Sequence, residues 1–333
     1  MKITAKQIAE KLGISAAAVS MALNNKPGVS IEMRHKILDV AKEMGYDFSR
    51  INSKKHKSNT IAFIFFHKNF VFDTPFFTEL ATSVESTIKE NGYQLYVHHI
   101  HDLDNIEEKV QSLQTYDYEG IILLGTTMTR NEFTPFEKLN IPIVLLDSYF
   151  PNLQVDCVTI NNVDSAETAT DYLIKKHHKQ PGYLHSTHEI VNFNERSLGF
   201  FNAVRNNSLP TSKSIIHQLS PSLDGAYADM IEILNRNEPL ASCYFADNDE
   251  IAIGAMRAFK EKGYRIPEDI SIVGFDNIPY STYVDPPLTT IDVPKAYMGT
   301  VAAKRLITVI EEKDTAHLKI EMNTNLDRKS TRL

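Results

Sequence analysis

The 333-residue chain has no tryptophan and only two cysteines, Cys157 and Cys243. They lie far apart and outside any C-x-x-C pattern, which excludes a disulfide framework and suits a reducing, cytoplasmic setting. No apolar run approaches the ~20 residues a membrane helix needs, so no membrane partner is expected. The opening MKITAKQIAEKLG carries charges and helical periodicity where a signal peptide would carry an apolar core. Nor is there a G-x-S-x-G, a P-loop or a G-x-G-x-x-G. An enzyme therefore has no constellation to stand on, and no cofactor is expected.

What is there is an ordinary globular composition, 42% hydrophobic and 23% charged, in a chain long enough for two or three domains. The net charge of −7 hides an asymmetry. Residues 1–57 hold 11 Lys and Arg against 5 acids, which makes them +6 and leaves −13 on the other 276. A small basic unit on an acidic body suggests that one end meets a polyanion.

Within the basic unit, Thr4 and Gln7 have capping-box spacing, and Ile8, Ala9 and Leu12 form an apolar stripe closed by Gly13. Ser15 caps a second short helix, Ala16 to Leu23, with Val19 and Leu23 inward. Ser30 caps a third, Ile31 to Met44, whose Met33, Ile37, Leu38 and Ala41 cover the first two. Two short helices joined through a glycine, the second opening on a capping serine, is helix-turn-helix organisation. Any small helical domain is the plainer alternative. The connector FSRINSKKHKSN, Phe48 to Asn59, is polar and basic. It is either a solvated linker or, through Lys54, Lys55 and Lys57, a further phosphate contact.

From Thr60 onward, apolar strand-length runs alternate with helix-length stretches: TIAFIFF, YQLYVHH, GIILLG, PIVLLD, CVTIN, GYLHS, SIIHQL, ASCYFAD and ISIVGFD. The alternation predicts an α/β body with two parallel sheets covered on both faces. Ligands of such sheets bind beyond the carboxyl ends of the strands. Asp147 ends VLLD, Asp276 ends IVGFD, Asn248 follows YFAD, and Arg196 lies at the start of the helix N-E-R-S-L-G-F. A guanidinium fork and carboxylates each suit vicinal hydroxyls. After Thr74 and Pro75, one of Phe76 and Phe77 could offer a flat face to a sugar ring while the other enters the core, with Phe76 the better candidate. The alternatives are plain: Asp147 and Asp276 as turn caps, Asn248 as a helix cap, Arg196 as a surface ion pair. His98, His99 and His101 invite a metal reading, but only His99 and His101 share a strand face and no third ligand follows. A solvated strand end is the reading adopted.

The run TAKQIAEKLGISAAAVSMALNNKPGVSIEMRHKILDVAKEMGY resembles the headpiece of the lac-repressor/galactose-repressor family. The matching features are I-A-x-x-L-G-[IV]-S, A-V-S-x-A-L-N, V-S-x-x-x-R and the closing G-Y. The resemblance continues through DTPFF, VLLD, NERSLGF, FADNDEIAIGAMRAFKEKGYRIPEDISIVGFDN, PPLTTID and L-x-R-K-S-T, and so covers Lys2 to Thr331. It implies a homodimeric transcription regulator, more often a repressor than an activator, of carbohydrate-utilisation genes. Its recognition helices would enter successive major grooves of a pseudo-palindromic operator. A bilobed, periplasmic-binding-protein-like body would hold a sugar or sugar phosphate between its lobes.

The same resemblance divides the chain into a headpiece at 1–47, a linker at 48–59 and a body at 60–333. Lobe 1 would span about 60–161 and 288–333 and lobe 2 about 162–287, the chain returning near Pro287 to Asp292. Ala16, Ala17 and Met21 take base-reading positions where many relatives carry polar residues or arginine. They can pack on thymine methyls but cannot make bidentate hydrogen bonds. Thr4, Ser15, Ser20, Asn24, Ser30 and Arg34 take phosphate positions. Lys55 stands where the family's hinge helix carries a minor-groove leucine, and a lysine cannot act as that wedge. A transporter's solute-binding protein is the rival reading, and the headpiece argues against it.

Overall fold

The computed structural model describes residues 3–24, 28–46, 58–68, 74–101 and 104–329. The chain divides into two compact units, Met1–Ser58 and Asn59–Leu333. Among the described residues no helix is long and apolar enough to cross a membrane.

In the first unit, helix α1 (Ala5–Leu12) opens on a reciprocal capping box. The Gln7 N–H donates to Thr4 Oγ1 at 3.4 Å and the Thr4 N–H to Gln7 Oε1 at 2.8 Å. Gly13 ends the helix at φ 65°, the left-handed conformation that glycine adopts without a Cβ penalty. Helix α2 (Ala16–Leu23) is capped by Ser15, whose Oγ accepts from the Ala18 N–H at 3.1 Å. Helix α3 (Ile31–Glu43) is capped by Ser30, which accepts from Met33 at 3.3 Å. Ile8, Ala9, Val19, Ala22, Leu23, Ile37 and Ala41 form the buried cluster. Leu12, Met33 and Leu38 only edge it, half-buried, and Ala22 joins it unforeseen.

The second unit contains two six-stranded sheets. Strands β1 (Thr60–His67), β2 (Gln94–His101), β3 (Gly120–Leu124), β4 (Ile143–Leu146), β5 (Asp156–Ile160) and β11 (Lys319–Met322) form the first. Their order is β11-β5-β4-β3-β1-β2, all parallel. The second holds β6 (Gly182–Ser186), β7 (Ile216–Leu219), β8 (Cys243–Ala246), β9 (Ser271–Asp276), β10 (Thr289–Asp292) and β12 (Asn325–Asp327). Its order is β12-β10-β9-β8-β6-β7, parallel except for β12, which runs antiparallel to β10.

Helices α4 (Pro75–Glu90), α5 (Ile106–Leu113) and the short α6 (Arg130–Phe133) follow strands of the first sheet. Helices α7 (Asn162–His177), α8 (Val191–Asn206), α9 (Leu223–Asn235), α10 (Asp249–Glu261) and the short α11 (Tyr280–Tyr283) belong to the second. Helix α12 (Lys295–Glu312) packs on α4 and the first sheet. The unbroken apolar run of β1 now has a reason. Ile61, Phe63 and Phe65 face the core that α4 and α12 cover, whereas Ala62, Ile64 and Phe66 face the core of α5. Burying each of the larger side chains stabilises the fold by about 1.5–3 kcal/mol.

The chain returns to the first lobe later than expected. Instead of crossing near Pro287 to Asp292, it lays β10 in the second sheet, hydrogen-bonded to β9. Only then does α12 carry it back, and β12 crosses once more to the second sheet. Strands β10 (TTID) and β12 (NLD) are short and mostly polar, and so present no apolar run.

Candidate functional site

A cleft, with about 470 Å³ of space free of protein atoms when the open solvent at its mouth is counted, lies between the carboxyl ends of the two sheets. From the first lobe, Thr74, Phe76, Phe77, Thr126 and Asp147 line it. From the second come Ile190, Asn192, Phe193, Arg196, Asn248, Glu250, Asp276 and Ile278.

Arg196 sits within α8, past its first turn, instead of at a helix start. It is no surface ion pair, being 4% exposed. Its Nε donates to Asn162 Oδ1 at 3.0 Å, Nη1 to the Asp247 carbonyl, and Nη2 to Asp276 Oδ1 at 3.4 Å. The guanidinium also lies 3.6 Å from the centroid of the Phe275 ring, a cation–π placement. The glycine of the R-x-x-G-F pattern has a steric role here. A Cβ on Gly199 would stand 2.2 Å from the Val163 carbonyl oxygen, so glycine lets α8 close onto α7 and brings Arg196 to Asn162.

Both cleft aspartates have positive φ, 59° at Asp147 and 106° at Asp276. Such backbone strain in a non-glycine residue gathers at functional sites. Thr126 Oγ1 donates to Asp147 Oδ2 at 2.7 Å, and Asn192 Nδ2 donates to Asp147 Oδ1 at 3.1 Å from the opposite lobe. A second bond across the lobes runs from the Tyr149 hydroxyl to Glu195 Oε1 at 2.6 Å. Burial pushes Asp147 up to about 6, aided by the Asp276 charge and opposed by the Thr126 bond and Arg196. Burial likewise lifts Asp276 to about 6, with Arg196 and Lys295 pulling the other way. Glu250 is raised to about 7 by burial and then by Asp276.

Asn248 caps α10, accepting from the Ile251 N–H at 2.8 Å, and lines the cleft as well, so the two readings of that residue coexist. The choice between Phe76 and Phe77 dissolves in the same way. Both line the cleft, edge to face at 5.1 Å, because it wraps around the first turn of α4. Pro75 is the first residue of that helix and does not line the cleft.

Six lining residues escaped the sequence reading: Thr126, Ile190, Asn192, Phe193, Glu250 and Ile278. Asn192 and Phe193 stand four and three residues before Arg196, and helical spacing alone puts them on its face. Thr126 follows β3, where the carboxyl-end rule applied to GIILLG would have found it.

The histidines of β2 are more than a solvated strand end. His99 and His101 stack with His67 of β1, each ring centroid 4.9 Å from that of His67, and His67 Nε2 lies 2.6 Å from His99 Nδ1. His98, on the opposite face, bonds to the Tyr118 hydroxyl at 2.6 Å. Among the described residues no group of three or more ligand side chains could hold a metal.

In the headpiece, Ala16, Ala17 and Ser20 of α2 and its C-cap Asn24 lie exposed. Thr4, Ser15 and Ser30 are exposed at helix starts, and Met21 and Arg34 are half-buried. Asn24 Nδ2 donates to the Ser20 carbonyl at 2.8 Å, and Arg34 Nη1 to the Ala22 carbonyl at 3.3 Å. Lys54 and Lys55 lie outside the described residues.

Residues 4–48 match the family of bacterial regulatory proteins of the lacI type, and residues 58–329 match the periplasmic binding proteins and sugar binding domain of the LacI family. ExuR of Bacillus subtilis (strain 168) is 30% identical over 97% of this chain and 96% of its own. The HTH-type transcriptional regulator GalS of Salmonella typhimurium (strain LT2) is 31% identical over 91% and 88%. Among solved structures, a complex of the transcriptional regulator CelR with cellobiose shares the fold with a TM-score of 0.74 at 23% identity, over 98% of this chain and 99% of that one. A LacI-family transcriptional regulator from Enterococcus faecalis V583 with bound ribose gives a TM-score of 0.71 at 26% identity, over 82% and 99%. With both of its parts matched in order and relatives aligned along almost its whole length, the chain belongs to the LacI family of bacterial transcription regulators.

Proposed function

We propose that this regulator works as a cytoplasmic homodimeric repressor of carbohydrate-utilisation genes, released from or delivered to its operator by a small carbohydrate held in the cleft. The observation that carries the reading is the constellation of Asp147 on one lobe facing Arg196 and Asp276 on the other. A ligand whose hydroxyls engage both walls binds one lobe arrangement better than another and so shifts the population. Phe76 and Phe77 supply the apolar face for a sugar ring, with Thr74 and Asn248 as polar neighbours in the lining. Similar proteins hold cellobiose and ribose.

On the DNA side, the exposed face of α2 presents Ala16, Ala17 and Met21 to base edges, where methyl-to-methyl packing favours thymine. Thr4, Ser15, Ser20, Asn24, Ser30 and Arg34 hold phosphates, and the helix N-termini capped by Ser15 and Ser30 add their own attraction for anions. Lys54 and Lys55 extend the phosphate contacts, and two copies read a pseudo-palindromic site.

The test is selection of binding sites from random duplexes by the full-length protein, followed by titration of the selected site with candidate sugars. A two-half-site sequence whose affinity changes with a sugar is the expected result. Binding without sequence preference overturns the reading.

A further inference from the structure

The charges around the cleft do not balance. Among the described residues, the lining contains three carboxylates, Asp147, Glu250 and Asp276, and one cation, Arg196. That cation already directs three of its five N–H donors to Asn162, the Asp247 carbonyl and Asp276. The nearby Lys295 ammonium, bonded to the main-chain carbonyls of Asp276, Asn277 and Val293, offsets part of the Asp276 charge, but it does not line the cleft and leaves the carboxylates in excess. Glu250 differs from the two aspartates. No hydrogen bond or ion pair within the protein engages its carboxylate among the described residues, although it is partly buried and faces the cleft.

Resting on the sensor reading above, we propose that the cleft takes an uncharged polyhydroxyl ligand, excludes phosphorylated and carboxylated sugars, and owes this preference to Glu250 accepting ligand hydroxyls. The lining supplies mainly acceptors, so its complement is a donor-rich molecule. An anion would have to enter against three carboxylates while the single guanidinium stays bound to the protein. At close range in a partly desolvated site, one unit of like charge costs about a hundredfold in affinity. Burial raises all three acids, to about 6, 6 and 7, and the Asp276 charge adds to the rise at Asp147 and Glu250. Bound protons thus take up part of the excess, and a neutral ligand can bind without adding charge.

The experiment uses the full-length protein and sugar sets whose members differ in charge: glucose with glucose 6-phosphate and glucuronate, galactose with galacturonate, ribose with ribose 5-phosphate, and cellobiose with cellobiose 6-phosphate. Thermal shift finds the set that binds, and calorimetry gives the affinities. Within that set, the neutral member is expected to bind about a hundredfold tighter than its anionic partners. Glu250→Gln is expected to narrow the gap about tenfold or more, chiefly by improving anion binding. An anionic sugar that binds tighter than its neutral parent overturns this inference while leaving the sensor reading intact. An unchanged gap in a folded Glu250→Gln protein removes Glu250 from the role. If no sugar of any charge stabilises the protein, the sensor reading itself fails and this inference falls with it.

Discussion

Among the described residues, seven buried apolar side chains on three short helices hold the headpiece together, whereas the body spreads its core over both faces of two six-stranded sheets. The headpiece has little redundancy, and its ends depend on single caps such as Thr4, Ser15 and Ser30. The body can absorb a lost methyl group, but its cleft concentrates unbalanced charge. Packing is the vulnerable point of one unit and electrostatics that of the other.

The strongest way to break this contrast is Arg196→Ala. Removing the guanidinium leaves Asp276 buried without its partner and the Asp247 carbonyl without a donor, at a cost of about 3–5 kcal/mol. Denaturant unfolding should show that loss, with ligand-induced stabilisation abolished. A loss below about 1 kcal/mol would mean that the buried charge is compensated elsewhere.

Next comes a matched pair of truncations, Ile37→Ala in the headpiece and Leu146→Ala in the body, each costing about 2–5 kcal/mol. The first should abolish operator binding and spare the ligand-induced thermal shift. The second should lower the melting point of a body that still folds. Equal behaviour of the two would sink the contrast.

The pH dependence of body stability sharpens the electrostatic side. Asp147 and Asp276 are pushed up to about 6 in the folded state, above the ordinary aspartate range of the unfolded chain. Their folded forms hold protons that the unfolded chain has already released. The stability they lend is therefore complete below about pH 4 and is lost as the pH rises through 6. Melting the body across that window should show the decline, roughly 2 kcal/mol for each of the two groups, and Asp147→Asn should remove about half of it. A body that gains stability from these groups between pH 4 and 7 would reverse the sign.

The smallest effect belongs to a single cap. Ser15→Ala removes the acceptor for the Ala18 N–H and should cost about 1 kcal/mol, read as weaker operator binding with the body's melting point unchanged.

The two regions also differed in how much their sequence disclosed. Headpiece signals are local: Thr4 with Gln7, Gly13, and Ser15 before an apolar stretch each act within one helical turn, so caps and inward faces could be read directly. The cleft is assembled from the ends of distant strands. Asp147 and Asp276 were visible because each ends an apolar run, and Arg196 because of its pattern with Gly199. Asn192 was invisible as a clasp, because nothing local says that its amide will reach across to Asp147. The stacked imidazoles needed the β1–β2 register, which alone brings His67 beside His101. Strands β10 (TTID), β11 (KIEM) and β12 (NLD) were missed because polar and charged residues interrupt each of them and leave no apolar run to recognise.

Among the described residues, the body's chain passes between its lobes three times, at Asn161, at Val293 with Pro294, and at Asn323 with Thr324. Each strap is only one or two residues long, and a residue spans at most about 3.5 Å. Sliding one sheet past the other would stretch all three together, so translation is effectively forbidden. What survives is a swing about the line the straps define, like a book turning on its spine. A message from the cleft can then be written only as an angle.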